Sequence, residues 1–296
     1  MLNKIFSLSV LAGIIFVVSC KNDKPAPAVE VVKVDTPKVI THKLVKLWET
    51  DTLFKTPESV LFDKTNNVLY VSNIDGKDPW AADGIGSIGK LGLDGKIINA
   101  EWVKGLQAPK GMGLRDSTLY VADLKRVVLI DVKSGKIKRQ INIPSAKGLN
   151  DISIDPTGVL YVTDSEGKRL YRIEDGTVSM LLDTLAAPNG VLVAGRDLLV
   201  CNEGTLSKIT KAKTLAVIAD GLEGGVDGVE QVAEDEYLVS CWAGSIYYIN
   251  NDGRKELLYD GKPEGKNTAD IGYDAVNKIV YVPTFWKNSV IAFNLQ

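Results

Sequence analysis

Histidine is almost missing from this 296-residue chain. The single one, His42, precedes the regular part of the sequence, so Ser-His-Asp, Cys-His and His-metal chemistry have no imidazole in the body of the fold. No charge of one sign dominates either: Lys plus Arg is 35 against 37 for Asp plus Glu, without a basic cluster. That leaves no electrostatic footprint for a phosphate backbone and argues against a nucleic-acid partner. Cysteine is limited to three residues, too few for a disulfide framework. What remains for chemistry is carboxylates, amides, hydroxyls, lysine and the backbone. The content of 45% apolar and 24% charged residues is ordinary for a globular chain and excludes disorder as the main state.

Near the start an uncharged stretch, IFSLSVLAGIIFVVS, has 15 residues, short of the roughly 20 a membrane span needs but suited to the apolar region of a secretory signal. It ends in Val17-Val18-Ser19-Cys20 before polar Lys21-Asn22-Asp23. This resembles a bacterial lipoprotein signal, cut before a cysteine that becomes lipidated, although Val17 stands where Leu is usual. An ordinary secretory signal with an incidental cysteine is the alternative. The expected organisation is a signal peptide over 1–19, an extended Pro- and charge-rich tether over 20–40, and one domain over 41–296. That places the protein outside the inner membrane, lipid-anchored through Cys20 in the cell envelope, on the periplasmic side or the cell surface. Cys201 and Cys241 fall in strand-like runs. They could pair, but their non-equivalent places in the repeat favour two buried small hydrophobes.

From Pro57 onward one pattern returns six times: PESVLFDKTNNVLYVSN, PKGMGLRDSTLYVAD, LNDISIDPTGVLYVTD, PNGVLVAGRDLLVCN, VDGVEQVAEDEYLVSC and ADIGYDAVNKIVYVPT. The aligned second residues are Glu58, Lys110, Asn150, Asn189, Asp227 and Asp270, at intervals of 52, 40, 39, 38 and 43. A period near 40 built from short strands and Asp-Gly or Ser-Gly turns is the signature of propeller blades. The fold class is therefore all-β, a six-bladed β-propeller. The last unit has only three strands before Gln296, so HKLVKLWET, about 42–50, is expected to join it and close the ring, since an open ring leaves unpaired edges.

Each aligned residue begins the innermost strand of its blade, so the six converge on one end of the central channel. Gly111, Gly190 and Gly228 follow three of them, where absence of a side chain lets backbones crowd the axis. The formal charge of the six is −2. Clustered carboxylates in a low-dielectric channel call for a cation, and carboxylate and amide oxygens favour calcium or a similar hard ion over zinc.

The Glu58 motif PESVLFD, Asn150 in LNDISIDPTGVLYVTD, Asn189 in PNGVLV and Asp227 in VDGVEQV resemble the four metal positions of the gluconolactonase, regucalcin (senescence marker protein) and diisopropyl fluorophosphatase families, over about residues 45–296. The resemblance implies a six-bladed propeller whose divalent ion, calcium foremost, is held by Glu58, Asn150, Asn189 and Asp227. It also implies hydrolysis of a lactone or ester, with Asp227 as general base or nucleophile and the metal polarising the carbonyl or phosphoryl oxygen. Two departures stand out. Gly148 occupies the place where gluconolactonases carry a substrate-binding Arg, with Lys147 beside it. Lys110 puts a positive charge into the ring, where it could pair with Asp270, hold a substrate carboxylate or weaken metal binding. A non-catalytic envelope propeller that binds a ligand or protein is the competing expectation.

The loops between second and third strands return to the face of the ring residues, and they are aromatic. A long insertion, 74–87, carries Trp80 and is a candidate lid with flexible points at Gly76 and Gly84; the fifth loop carries Trp242, the sixth Phe285 and Trp286. With Lys110 and Asp270 these tryptophans are the expected substrate-binding residues for a small lactone, ester or sugar-like molecule, unless they pack only against one another. Gly84-Ile-Gly86-Ser-Ile-Gly89-Lys90 matches dinucleotide glycine spacing, but Leu91 follows where a phosphate loop needs Ser or Thr, and no helix follows; a nucleotide is not expected. Asn73, Asp123, Asp164 and Asn202, after second strands, are explained by turn formation.

Overall fold

Period-two runs separated by tight turns fold here as short antiparallel strands. Asp175 and Gly176, for instance, both take positive φ (50° and 81°) in the two-residue turn between Arg169–Glu174 and Thr177–Leu182, as a type I′ hairpin requires. The computed structural model describes residues 41–250 and 252–296. The expected leader, the tether and Cys20 lie outside the described residues.

The strands form six four-stranded antiparallel sheets. Five take all their strands from consecutive sequence, over 57–106, 109–142, 149–182, 188–219 and 226–260. The sixth combines Gly272–Asp274, Ile279–Pro283 and Val290–Leu295 with Leu44–Glu49, which pairs antiparallel with Val290–Leu295. The ring is closed by the N-terminal strand, as expected. Two 3-10 turns, Lys262–Glu264 and Phe285–Lys287, are the only helical segments among the described residues. The glycine motif at 84–89 runs into the third strand of blade one, Gly86–Gly92, without a helix to receive a phosphate.

Side chains alternating across each strand bury both faces against neighbouring blades, and one apolar cluster fills each of the six seams. Leu69, Tyr70, Val71, Ile88 and Leu91 of blade one, for example, are fully buried. Polar contacts reinforce the closure. Trp48 Nε1 donates to the Leu93 carbonyl at 3.0 Å, tying blade six to blade one. His42 stacks on Tyr248 at 3.7 Å between ring centroids and contacts Glu256 Oε2 through Nδ1 at 3.0 Å, tying it to blade five. The lone histidine thus serves the seam. Cys201 and Cys241 are both free and buried.

A repeated local device sets up the channel. In five blades the pairing of first and second strands is irregular at the ring residue, between Pro57/Ser59, Pro109/Met112, Leu149/Ile152, Pro188/Val191 and Val226/Val229. Such bulges bend a strand and re-aim a side chain. The backbone N–H freed there finds a hydroxyl on the second strand: Ser59 N donates to Ser72 Oγ, Asp151 N to Thr163 Oγ1 and Gly228 N to Ser240 Oγ, each at 2.9 Å. The glycines after ring residues allow the next inner strand to approach. A Cβ on Gly190 would lie 2.2 Å from the Asp227 carbonyl oxygen, and one on Gly111 2.3 Å from Asp151 Oδ1.

Candidate active site at the mouth of the channel

In three successive blades the loop entering the inner strand is pinned by a side chain at the end of the second strand. Asp123 Oδ1 accepts from Gln107 N (2.8 Å) and Ala108 N (3.0 Å); Asp164 Oδ1 from Gly148 N (2.8 Å); Asn202 Oδ1 from Ala186 N (2.9 Å) and Ala187 N (3.0 Å). These side chains do more than form their own turns. They fix the backbone two residues ahead of Lys110, Asn150 and Asn189, converting scattered sequence positions into one rigid rim.

At that rim Glu58 and Lys110 are buried side by side, with Lys110 Nζ 3.6 Å from Glu58 Oε1. Lys110 therefore pairs with Glu58, not with Asp270. Its ammonium also lies 4.3 Å from the centroid of the Trp80 ring, within cation–π range. Burial raises the Glu58 carboxyl above its ordinary value, with Lys110 pulling the other way. Asp227 is 3% exposed, and its pKa is pushed well up by burial and by the negative field of Glu58 and Asp151, against the opposing pull of Lys110 and the Asn189 amide. Glu58 Oε2 and Asp227 Oδ1 are both buried without a hydrogen-bond partner. Asn150 donates through Nδ2 to Ser165 Oγ at 3.0 Å, and that hydroxyl donates to the Pro188 carbonyl. This leaves the Asn150 carbonyl oxygen as the free end of the amide.

Burial, and after it Asp151, Glu58 and Asp227, push the Asp270 carboxyl well up against the pull of the Ser59 hydroxyl. Asp270 accepts from Ser59 Oγ and faces a cavity of about 220 Å³ that runs along the inner strands beyond the rim, together with Asp151 and Glu230. The last two were not singled out from sequence. Asp151 accepts from Ile152 N (2.7 Å) and Val191 N (2.8 Å), and burial raises its pKa to about 7. Burial likewise raises Glu230 to about 8, with Asp151 adding to the shift. A signal for Asp151 existed: it is an acid in the place that three other blades fill with glycine.

The mouth is partly covered from above. Ile74, Ala108, Leu124, Ala269 and Phe285 form an apolar cluster against which Trp80 packs. The indole also rests on Gly148, where an added Cβ would lie 2.8 Å from Trp80 Cζ3. Trp242 and Trp286 each meet Phe285 edge-on, at 5.6 and 4.7 Å between centroids, and stay 39% and 43% exposed. They pack between loops and still present surface. Thr56 (φ 51°) and Phe285 (φ 45°) hold left-handed backbone at the two edges of this region, a conformation costly for branched and bulky residues and concentrated at functional sites. Gly84 has positive φ and Gly76 does not.

The donor types suit a hard cation: two carboxylates with orphaned oxygens, the Asn189 amide against Asp227 and the Asn150 amide on the inner strand of blade three. Among the described residues no group of three His, Cys, Asp or Glu is arranged as a metal cluster; a shell here would have to draw on the amides of Asn150 and Asn189.

No family model matches the sequence, and no curated protein matches it. Solved structures do. A putative gluconolactonase superposes with a TM-score of 0.68 at 15% identity, covering 86% of this chain and 92% of its own. Regucalcin from Agrobacterium tumefaciens, a calcium-binding protein, gives 0.63 at 17% identity, over 86% and 95%. A catalytically inactive histidine-to-alanine variant of virginiamycin B lyase from Staphylococcus aureus, with quinupristin, gives 0.60 at 14% identity, over 86% and 99%. The chain has the gluconolactonase- and regucalcin-like propeller fold. Lyases share this propeller, so the fold leaves the chemistry to the site.

Proposed function

We propose that the channel mouth is the active site of a metal-assisted hydrolase acting on a small lactone or ester, with calcium the foremost candidate ion. The observation that carries this is the pair of orphaned buried oxygens, Glu58 Oε2 and Asp227 Oδ1. Buried acceptors left unmet are costly, and at such a site they fit a missing cation or substrate group. Glu58, Asn150, Asn189 and Asp227 would hold the ion; when bound it would polarise the carbonyl or phosphoryl oxygen under attack.

Asp227 is the general base or nucleophile of this scheme. As a base its carboxylate takes a proton from the attacking water, with the neighbouring Asn189 amide supporting its charged form. Burial and the neighbouring acids raise its proton affinity, the direction that favours taking up a proton. Lys110 neutralises part of the Glu58 charge and offers its remaining N–H groups to a substrate oxygen. Trp80, Trp242 and Trp286 supply apolar faces at the rim and exclude water. The cell-envelope location and the lipid anchor at Cys20 are part of this proposal; mass spectrometry of the mature N-terminus tests them.

A lyase that depends on histidine is disfavoured, because the only imidazole, His42, is committed to the outer seam with Tyr248 and Glu256. A non-catalytic binder is the second reading, favoured by the internal cation Lys110 beside Glu58. A panel of lactones and phosphotriesters, assayed with calcium and with chelator on wild type and Asp227→Asn, separates the two. Metal-dependent turnover lost in the variant supports the enzyme; calcium binding without turnover on any substrate supports the binder.

A further inference from the structure

A second cavity, of about 380 Å³, opens beside the mouth between blades one, two and three, walled by Trp80, Gln107, Lys125, Arg126, Asn142 and Lys147 among others. Its elements are the loops that the topology brings to the rim face. That volume falls within the range of small-molecule sites.

Its electrostatics are one-sided. Asp123 is the one acid in the wall, and it is consumed: Oδ1 accepts two backbone N–H groups, and Oδ2 accepts from Arg126 Nε at 2.8 Å. Arg126 is held further by Gln140 Oε1, 3.2 Å from Nη1. Lys125 and Lys147 are exposed and have no acidic partner in the wall. Two unmatched ammonium groups in a concave site attract an oxyanion. Gln107 Oε1, also in the wall, is buried without a hydrogen-bond partner, so the occupant needs a donor such as a hydroxyl. Trp80 provides an aromatic face of the kind that stacks on the C–H face of a ring.

We propose that this pocket binds a hydroxyl-bearing, ring-sized molecule through its carboxylate or phosphate, with Lys125 and Lys147 holding the oxyanion, Gln107 taking a hydroxyl and Trp80 the ring. Because Trp80 also covers Lys110, an occupant lies next to the channel mouth. The pocket stands whether or not the ring is catalytic, since no ring residue lines it.

Isothermal titration of the folded protein with glucuronate, glucose 6-phosphate, inorganic phosphate and glucose tests this without measuring turnover. The expected result is that at least one anionic sugar binds about tenfold or more tightly than both glucose and inorganic phosphate, with the preferred anion naming carboxylate or phosphate. The Lys125→Gln/Lys147→Gln double variant, altered at exposed positions that carry little folding energy, should erase that margin; Asp227→Asn should keep it. Glucose or inorganic phosphate binding as tightly as the sugar anions, or a margin that survives in the folded double variant, overturns the proposal. A margin lost in Asp227→Asn instead also overturns it, by moving the anion to the ring.

Discussion

Trp80 and Gly148 claim the same space: a Cβ at 148 would lie 2.8 Å from Cζ3 of the indole and 2.9 Å from Cε3. The position at which the resemblance to gluconolactonases would place an arginine carries no side chain here, and Trp80 of the 74–87 insertion packs over it together with Glu166. Any side chain at 148 must lift that loop. Gly148→Ala is expected to cost about 1–3 kcal/mol by overpacking and to loosen Trp80, read as a red-shifted tryptophan emission and faster proteolytic cutting within 74–87. An unaltered spectrum with an unaltered Tm would show that the indole does not rest on residue 148.

Asp227→Asn separates chemistry from folding. The native carboxyl is buried, has an orphaned oxygen and is pushed toward its neutral form, so a neutral isostere keeps the shape and removes the cost of ionising the site. Turnover on any substrate found in the panel should fall by about 10²-fold or more, the usual worth of a general base. The Tm measured in chelator should hold or rise. A fall in both would make Asp227 a structural residue.

The propeller was legible because its information is redundant: six copies of a strand pattern at a period near 40 outvote any single irregular unit, and three C-terminal strands demanded a fourth from about 42–50. The convergence of Glu58, Lys110 and Asp227 follows from that period alone. Details that depend on side-chain reach were not legible. The choice of Glu58 over Asp270 as the partner of Lys110 is settled by packing across blades one and two, with Asp270 drawn instead to Ser59. Glu230 was hidden because the bulge between Val226 and Val229 breaks the simple alternation from which its orientation would be inferred.

The same bulged ring predicts how ions act on stability. A ligand that binds only the folded state at a hundred times its Kd adds about 2.7 kcal/mol, which for a domain of this size is a Tm rise of roughly 5–10 °C. Calcium should produce such a rise in wild type and none in Glu58→Gln. Lys110→Gln should lower the Tm in chelator, since it leaves the buried Glu58 carboxylate without its cation, yet bind calcium about tenfold or more tightly because a like charge is gone. Equal calcium affinity in wild type and Lys110→Gln would place the ion away from the ring.

Glu230 makes stability depend on pH in a direction opposite to that of a salt-bridged surface acid. An unfolded glutamate ionises near 4.3, whereas burial beside Asp151 raises Glu230 to about 8 in the folded chain. Between those values the folded state holds a proton that the unfolded state has lost, so raising the pH favours unfolding. The stabilisation is complete below about pH 4 and is lost progressively until the folded group ionises near pH 8. The groups facing it along the channel reinforce this sense: Asp151, at about 7, loses its proton over an overlapping range, and the Tyr273 hydroxyl is itself raised and stays neutral there. Thermal melts in chelator from pH 5 to 9 should show a steady fall in Tm for wild type and a shallower one for Glu230→Gln, with the difference between the two curves ceasing to grow above pH 8. Parallel curves would mean that Glu230 ionises in the folded chain as it does in the unfolded one, and that the lower channel is wet enough to solvate its charge.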